Sequence, residues 1–238
     1  MGGQSEQSRT APESPRPLVA YYDQLANRYD ADRFGNSYGR YLHGQEHRLL
    51  KHWLAPRQGQ PILDLACGTG RLLDLATHGL DASEAMVRLA HQKHPKKTVR
   101  VGLAANPAEF GVQFAAIFCV HLLMHLAKPE IARVLRVAFD QLQPGGVLIF
   151  DVPSGHRRAL SGFQPTGWHA GTAFDWREVL AMTEAKWRLC RTRGVLFFPI
   201  HRLPALIRPA LRPFDDLVGA TPLKRWSSYQ FFCLERRP

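Results

Sequence analysis

Ile62-Leu-Asp-Leu-Ala-Cys-Gly-Thr-Gly-Arg-Leu-Leu73 reads as a buried strand over 62–66, a glycine turn over 67–70 and the start of a helix. Gly68 and Gly70 leave bare backbone against which a ligand can lie, and a turn there uses glycine's tolerance of unusual φ and ψ. Eleven positions after Gly70 comes Asp81, in Gly79-Leu-Asp-Ala-Ser83, at the end of what reads as the next strand. A carboxylate in that place can accept hydrogen bonds from both hydroxyls of a ribose, so nucleoside binding is the first implication. Position 73, where the dinucleotide pattern G-x-G-x-x-G carries its third glycine for close helix–strand packing, is Leu. That argues against an NAD or FAD site. A β-α-β crossover needs at least about 10–12 residues, so the chain from Cys67 to His78 has room for a two-turn helix over 70–77 and a shortened second strand.

Three further stretches extend the pattern. Phe114-Ala-Ala-Ile-Phe-Cys-Val-His-Leu-Leu-Met-His-Leu126 reads as a strand and the turn after it. In Leu142-Gln-Pro-Gly-Gly-Val-Leu-Ile-Phe-Asp151, the proline ends the preceding helix and the glycines permit a tight reversal into a strand. Upstream stands Tyr21-Tyr-Asp-Gln-Leu-Ala-Asn-Arg-Tyr-Asp30. Taken in order, these segments resemble the class I S-adenosylmethionine-dependent methyltransferases, of the small-molecule, quinone-biosynthesis type. The resemblance covers residues 20–151 and the closing strand. It implies a Rossmann-like, doubly wound, mostly parallel seven-stranded sheet with helices on both faces and an antiparallel last strand. It also implies S-adenosylmethionine as cofactor, with S-adenosylhomocysteine as product. By position, Asp64, Ala66, Cys67, Gly68 and Gly70 form the turn that wraps the methionine end, Asp81 and Ala82 meet the ribose, and Cys119 closes the fourth strand beside the site. Tyr22 and Tyr29, with Tyr21, either cover the cofactor or staple N-terminal helices to the core. Two positions depart from the family. Gly102-Leu103-Ala104 lacks the aspartate that meets the adenine amino group, leaving Asn106 or a backbone group to replace it, and Ala115 stands where an aspartate often opens the fourth strand.

The chain has 238 residues, 45% of them hydrophobic, enough for one α/β core. Residues 1–17 are polar and punctuated by proline, and read as a disordered tail without a secretory h-region. No apolar run reaches the roughly 18–20 residues that span a bilayer. Cys67, Cys119, Cys190 and Cys233 have no C-x-x-C spacing and fall in apolar, strand-like contexts, which implies reduced, buried thiols in a cytoplasmic protein and no metal site. Residues 18–238 then form one domain. Within it, 18–55 make a helical cap, with Gly35, Gly39 and Gly44 marking breaks, and 198–226 make an amphipathic cap insertion. Strands are expected near 61–66, 79–81, 98–102, 115–120, 146–151, 187–197 and 228–235. Helices are expected over 83–93, 129–141, 174–184 and part of 202–218.

The cofactor of such a family carries an activated methyl group, so the protein's task is alignment and, for an oxygen acceptor, removal of a proton. His121, directly after the fourth strand, is the first candidate base, and His156, after the fifth, the second. His125 reads as structural, and His169 falls in a loop on the substrate side. The expected reaction is methyl transfer to a small-molecule or lipid-like acceptor, at oxygen rather than nitrogen. Two alternatives stand beside it: a methyltransferase-fold protein that binds the cofactor or its cleft without methyl transfer, and a basic nucleic-acid-binding methyltransferase. A formal net charge of +11 invites the second. Against it, no (D/N)-P-P-(Y/F) segment follows the fourth strand and no Pro-Cys nucleophile is present. The arginine-bearing apolar stretch Phe197–Phe214 reads first as a substrate lid, second as packing on the sheet and third as a contact with an anionic membrane surface. Oligomeric state leaves no signature.

Overall fold

Seven strands carry the computed structural model, which describes residues 16–106, 110–163, 171–183 and 186–237. They are β1 (Ile62–Leu65), β2 (His78–Asp81), β3 (Thr98–Val101), β4 (Phe114–Cys119), β5 (Leu142–Pro153), β6 (Trp187–Val195) and β7 (Tyr229–Arg236). They form one sheet in the order β3-β2-β1-β4-β5-β7-β6. The first five are parallel, and β7 lies antiparallel between β5 and β6. The chain winds outward from β1 to β3, then returns to lay β4 against the other side of β1. The carboxyl ends of β1 and β4 therefore face a crevice at the point where strand order reverses.

Both faces of the sheet are covered, which is why β4 is buried along its whole length. The pleat sorts its residues by parity. Phe118, Ile149 and Phe231 pack with Leu50 and Trp53 of α2 (Ser37–Leu54), whereas Ile117, Leu148 and Phe232 pack with Ile131, Val134 and Leu135 of α4 (Lys128–Gln141). The other helices are α1 (Arg16–Phe34), α3 (Glu84–Lys93), α5 (Gly155–Ser161), α6 (Trp176–Thr183) and α7 (Arg208–Val218). None among the described residues is long and apolar enough to cross a membrane.

Several expectations need correction. Residues 70–77 form no α-helix. The chain turns at Gly70 and makes one 3-10 turn over Leu73–Leu75, with Leu72 and Leu73 buried as plugs, and Thr77 hydrogen-bonds back to Ile62. A two-turn helix would use all the available chain and leave none to return to the start of β2. The economy falls on the helix, since β2 has four residues, as do β1 and β3. Of the expected glycine breaks only the region of Gly35 separates two helices. Gly39 and Gly44 lie inside α2, because a Cβ on Gly39 would collide with the end of α1 and Gly44 faces the guanidinium of Arg212. Arg16 and Pro17 already belong to α1, and residues 1–15 of the expected tail lie outside the described residues. Cys190 is exposed, because β6 is an edge strand, while the other three thiols are buried.

Candidate cofactor and acceptor site

The parallel register sets Leu65 against Leu80, so Asp81 projects one residue past the end of β1 and meets the glycine turn. Its carboxylate accepts the Gly68 N–H at 2.8 Å and the Ser83 N–H at 2.9 Å. Burial raises its pKa while these two N–H groups oppose the rise. Two bonds fix the carboxylate and leave lone pairs for a ligand's hydroxyls, since an ionised carboxylate has about four acceptor positions. The turn departs from ordinary backbone: Ala66, Gly68 and Gly70 have φ of 67°, 54° and 81°. A Cβ on Gly68 would point into open space, whereas one on Gly70 would press on Ala90 and His94 of the α3 region. Gly68 thus keeps the approach to the backbone clear, and Gly70 lets α3 pack closely.

Asp81, Ala82, Ala66 and Gly68 line a cavity of about 400 Å³, closed at its far end by Gly102–Asn106 and at its near end by Tyr22, Tyr29 and His121. A small cleft of about 40 Å³ beside it shares Tyr29, Ala66, Gly68 and His121 and adds Asp64 and Cys67. Burial pushes both the Asp64 carboxyl and the Cys67 thiol up. Helix α1 is tied over this crevice through residues seven apart. Asp30 accepts the Thr69 hydroxyl at 2.7 Å and pairs with Lys93, and Asp23 accepts the Ser83 hydroxyl. On the neighbouring face, Tyr22 and Tyr29 lie edge to face with ring centroids 5.9 Å apart. The aspartates of α1 thus make the ties to the core, and Tyr22 and Tyr29 border the cavity.

A second, wider cavity of about 870 Å³ opens on the other side of Tyr22, Tyr29, His121 and His125, residues that border both spaces. Its walls include Phe34, Tyr38, Met124 and Phe163, with Arg157 and Arg158 of α5. The Tyr22 hydroxyl and His125 Nε2 are 3.1 Å apart.

His121 stands at the junction, held from three sides. Its Nε2 is 2.6 Å from Glu46 Oε1, its Nδ1 is 3.2 Å from Asp151 Oδ2, and its backbone N–H donates to Asp151 Oδ1 at 2.6 Å. Arg71 pairs with the other Glu46 oxygen at 2.7 Å. The side chains of Glu46 and Asp151 are wholly buried. Burial alone would lower the pKa of His121, but Glu46 and Asp151 outweigh it and raise it to about 10. Glu46 is correspondingly lowered to about 2, because Arg71 and His121 overcome its desolvation. Two buried carboxylates against one imidazole favour the charged form of His121, which speaks against the base role expected for it. The left-handed φ of 61° at this non-glycine residue is strain that the three contacts hold in place.

The remaining expected residues scatter. His156 lies on α5 but does not line the cavity that its neighbours Arg157 and Arg158 border. Cys119 is almost wholly buried within β4 and, like Gly70, lines none of the described cavities. His169 lies outside the described residues. The segment 198–226 divides its work. Pro199, His201 and Arg202 border the wider cavity, whereas α7 packs on α2 through Tyr41–Asp215 and Arg48–Asp216 contacts of 3.0 and 2.7 Å. Glu46 was missed in the sequence. Its signal is a carboxylate on the stripe Leu42, Leu49, Leu50 and Trp53, all of them core positions of α2.

A parallel sheet whose strand order reverses at β1, with a carboxylate beside the glycine turn that follows it, defines a Rossmann-like fold. The sequence family described as "Methyltransferase domain" matches residues 62–146, the stretch from β1 to the turn into β5. Over that stretch the chain is similar to S-adenosylmethionine-dependent methyltransferases. It is 36% identical over 115 residues to YqeM of Bacillus subtilis (strain 168), which carries a methyltransferase name, a match covering 44% of this chain and 46% of that one. It is 28% identical over 178 residues to the ubiquinone biosynthesis O-methyltransferase of Paracidovorax citrulli, covering 64% and 74%. The chain thus spans about half the length of the first of these relatives. In fold it is similar to magnesium protoporphyrin IX methyltransferase from Synechocystis PCC 6803, solved with bound S-adenosylhomocysteine, at a TM-score of 0.65 and 15% identity over 94% of this chain and all of that one.

Proposed function

We propose that this protein transfers a methyl group from S-adenosylmethionine to an oxygen atom of a small-molecule or lipid-like acceptor. The observation that carries the reading is the Asp81 carboxylate, held by the Gly68 N–H in the lining of a cavity that shares Tyr22, Tyr29, His121 and His125 with a second, wider one. The residues present fit the cofactor. Asp81 suits the ribose diol, the bare backbone at Gly68 suits the methionine end, and Met86 with the 102–106 rim suits the adenine, where Asn106 is the side chain able to hydrogen-bond its edge. The cofactor supplies a methyl group already activated on a sulfonium, which leaves alignment and proton removal to the protein.

Proton removal we assign to His125 in place of His121. His125 borders both cavities, with the Tyr22 hydroxyl beside its Nε2. An imidazole in that position suits proton transfer from a hydroxyl near neutral pH. Oxygen is also the acceptor atom in the name of the Paracidovorax relative. Calorimetric titration with S-adenosylmethionine and S-adenosylhomocysteine tests the cofactor half of the proposal, and absence of binding at millimolar ligand would sink it. His125→Gln tests the base: turnover of a hydroxyl acceptor should fall roughly 10²–10⁴-fold with cofactor affinity kept. Unaltered turnover would remove the assignment.

A further inference from the structure

We propose that the acceptor taken by the wider cavity carries an anionic group, a carboxylate or phosphate, on an apolar aromatic or chain body. The proposal rests on the methyltransferase reading of the adjoining cavity, but its own observations are separate. Arg33 from the end of α1, Arg157 and Arg158 from the first turn of α5, and Arg202 from the turn that begins the cap all line this space. Three distant parts of the chain thus bring four guanidinium groups to one cavity, and among the described residues no aspartate or glutamate lines it.

A chain with 31 Lys and Arg against 20 Asp and Glu puts arginines on every face, so convergence alone would say little. Beyond converging on one cavity, these four are without a carboxylate partner among the described residues, a condition they share with arginines such as Arg88 and Arg136 that line no cavity. Elsewhere Arg28 pairs with Asp32, Arg48 with Asp216, Arg71 with Glu46 and Arg188 with Glu235. Among the described residues no ion pair joins Arg33, Arg157, Arg158 or Arg202 to a carboxylate. Arg33 donates to the Tyr21 hydroxyl at 3.3 Å. Arg158 lies 4.7 Å from the centre of the Phe163 ring and donates to the Thr172 carbonyl at 3.4 Å. Arg157 and Arg158 are half-buried and Arg33 and Arg202 exposed; guanidiniums so placed keep donors for a planar anion, which they bind in a two-pronged geometry. The cofactor cavity is the contrast, since Asp81 and Glu130 both line it. A volume of about 870 Å³ falls within the range typical of small-molecule sites, about 300–1,000 Å³. The same cations disfavour an acceptor bearing a protonated amine.

The test uses two dyes of similar shape, with S-adenosylhomocysteine present at saturation. The anionic 1-anilinonaphthalene-8-sulfonate should bind at least tenfold more tightly than the uncharged N-phenyl-1-naphthylamine. Arg157→Gln/Arg158→Gln should weaken the anionic dye at least tenfold and leave the uncharged one within twofold. A control pair on exposed helix faces, Arg88→Gln/Arg136→Gln, should change neither. Arg33→Gln/Arg202→Gln, from other parts of the chain, repeats the test if the α5 variant does not fold. Equal affinity for the two dyes, or equal losses in the cavity and control pairs, would overturn the proposal. Failure of S-adenosylhomocysteine to bind would strike the methyltransferase reading instead, and the dye preference stays measurable without it.

Discussion

The two cavities that meet at His121 are built in opposite ways. The cofactor cavity is made where strands end: a glycine turn after β1, a carboxylate after β2, a short rim after β3. Its key contact, Asp81 with the Gly68 N–H, joins a side chain to backbone. The wider cavity is made of side chains from α1, α2, α5, the turn after β4 and the start of the cap, and its charge comes from arginines that have no carboxylate partner among the described residues. A site whose shape is set by backbone geometry leaves a short, local pattern in the chain. A site set by side-chain convergence leaves none.

The largest expected effect lies at the wall between them. Glu46→Gln leaves Arg71 and the His121 imidazolium without their buried partner and should cost about 3–5 kcal/mol of stability, read as a fall in melting temperature. A loss below about 1 kcal/mol would mean that the ion cluster does not hold the junction together. The pH dependence gives the same cluster a sign. The pKa of His121 is raised on folding, so its stabilisation is complete below about pH 6.5 and fades as pH climbs through about 10. That of Glu46 is lowered, so its stabilisation is complete above about pH 4.5 and is lost as pH falls through about 2. Melting temperature should therefore decline on the alkaline side, and the decline should flatten in Glu46→Gln. A flat wild-type profile from pH 6.5 to 10 would make His121 neutral and restore it as a base.

The next effect separates the cavities. Asp81→Ala should weaken S-adenosylhomocysteine at least tenfold, about 1.4 kcal/mol, and leave the binding of the anionic dye unchanged. Unchanged cofactor affinity would place the ribose elsewhere. The smallest effect is on the shared rim. Tyr22→Phe removes the hydroxyl 3.1 Å from His125 Nε2 and should cost about 0.5–1.5 kcal/mol in melting experiments, the usual worth of one intramolecular hydrogen bond. A zero effect would show that this contact does not orient the imidazole.

Much of the architecture was legible, for a physical reason. Buried parallel strands read as apolar runs, and Pro144-Gly145-Gly146 marks the entry into β5, where Gly145 has a φ of 73°. The missing helix after the glycine turn was not legible, because Arg71–Leu75 would suit a helix well. What forbids one is the distance left to the start of β2, a property of the sheet. The surroundings of His121 were not legible for a similar reason. Its position after β4 points to the cleft, but its charge depends on Glu46 and Asp151, residues 75 and 30 positions away in the chain. His125, set aside as structural, gained its place from Tyr22 of α1.

By itself, then, the sequence determined the parallel sheet, the turn at Gly68 and Gly70, and the carboxylate set beside it, since each follows from local backbone preferences and from the register of neighbouring strands. Only the tertiary structure decided the protonation of His121, the convergence of four arginines on one cavity and the division of the 198–226 segment between cavity wall and packing. Charge state and shape complementarity depend on which distant groups share a low-dielectric space, and the order of residues along the chain does not encode that separately from the fold.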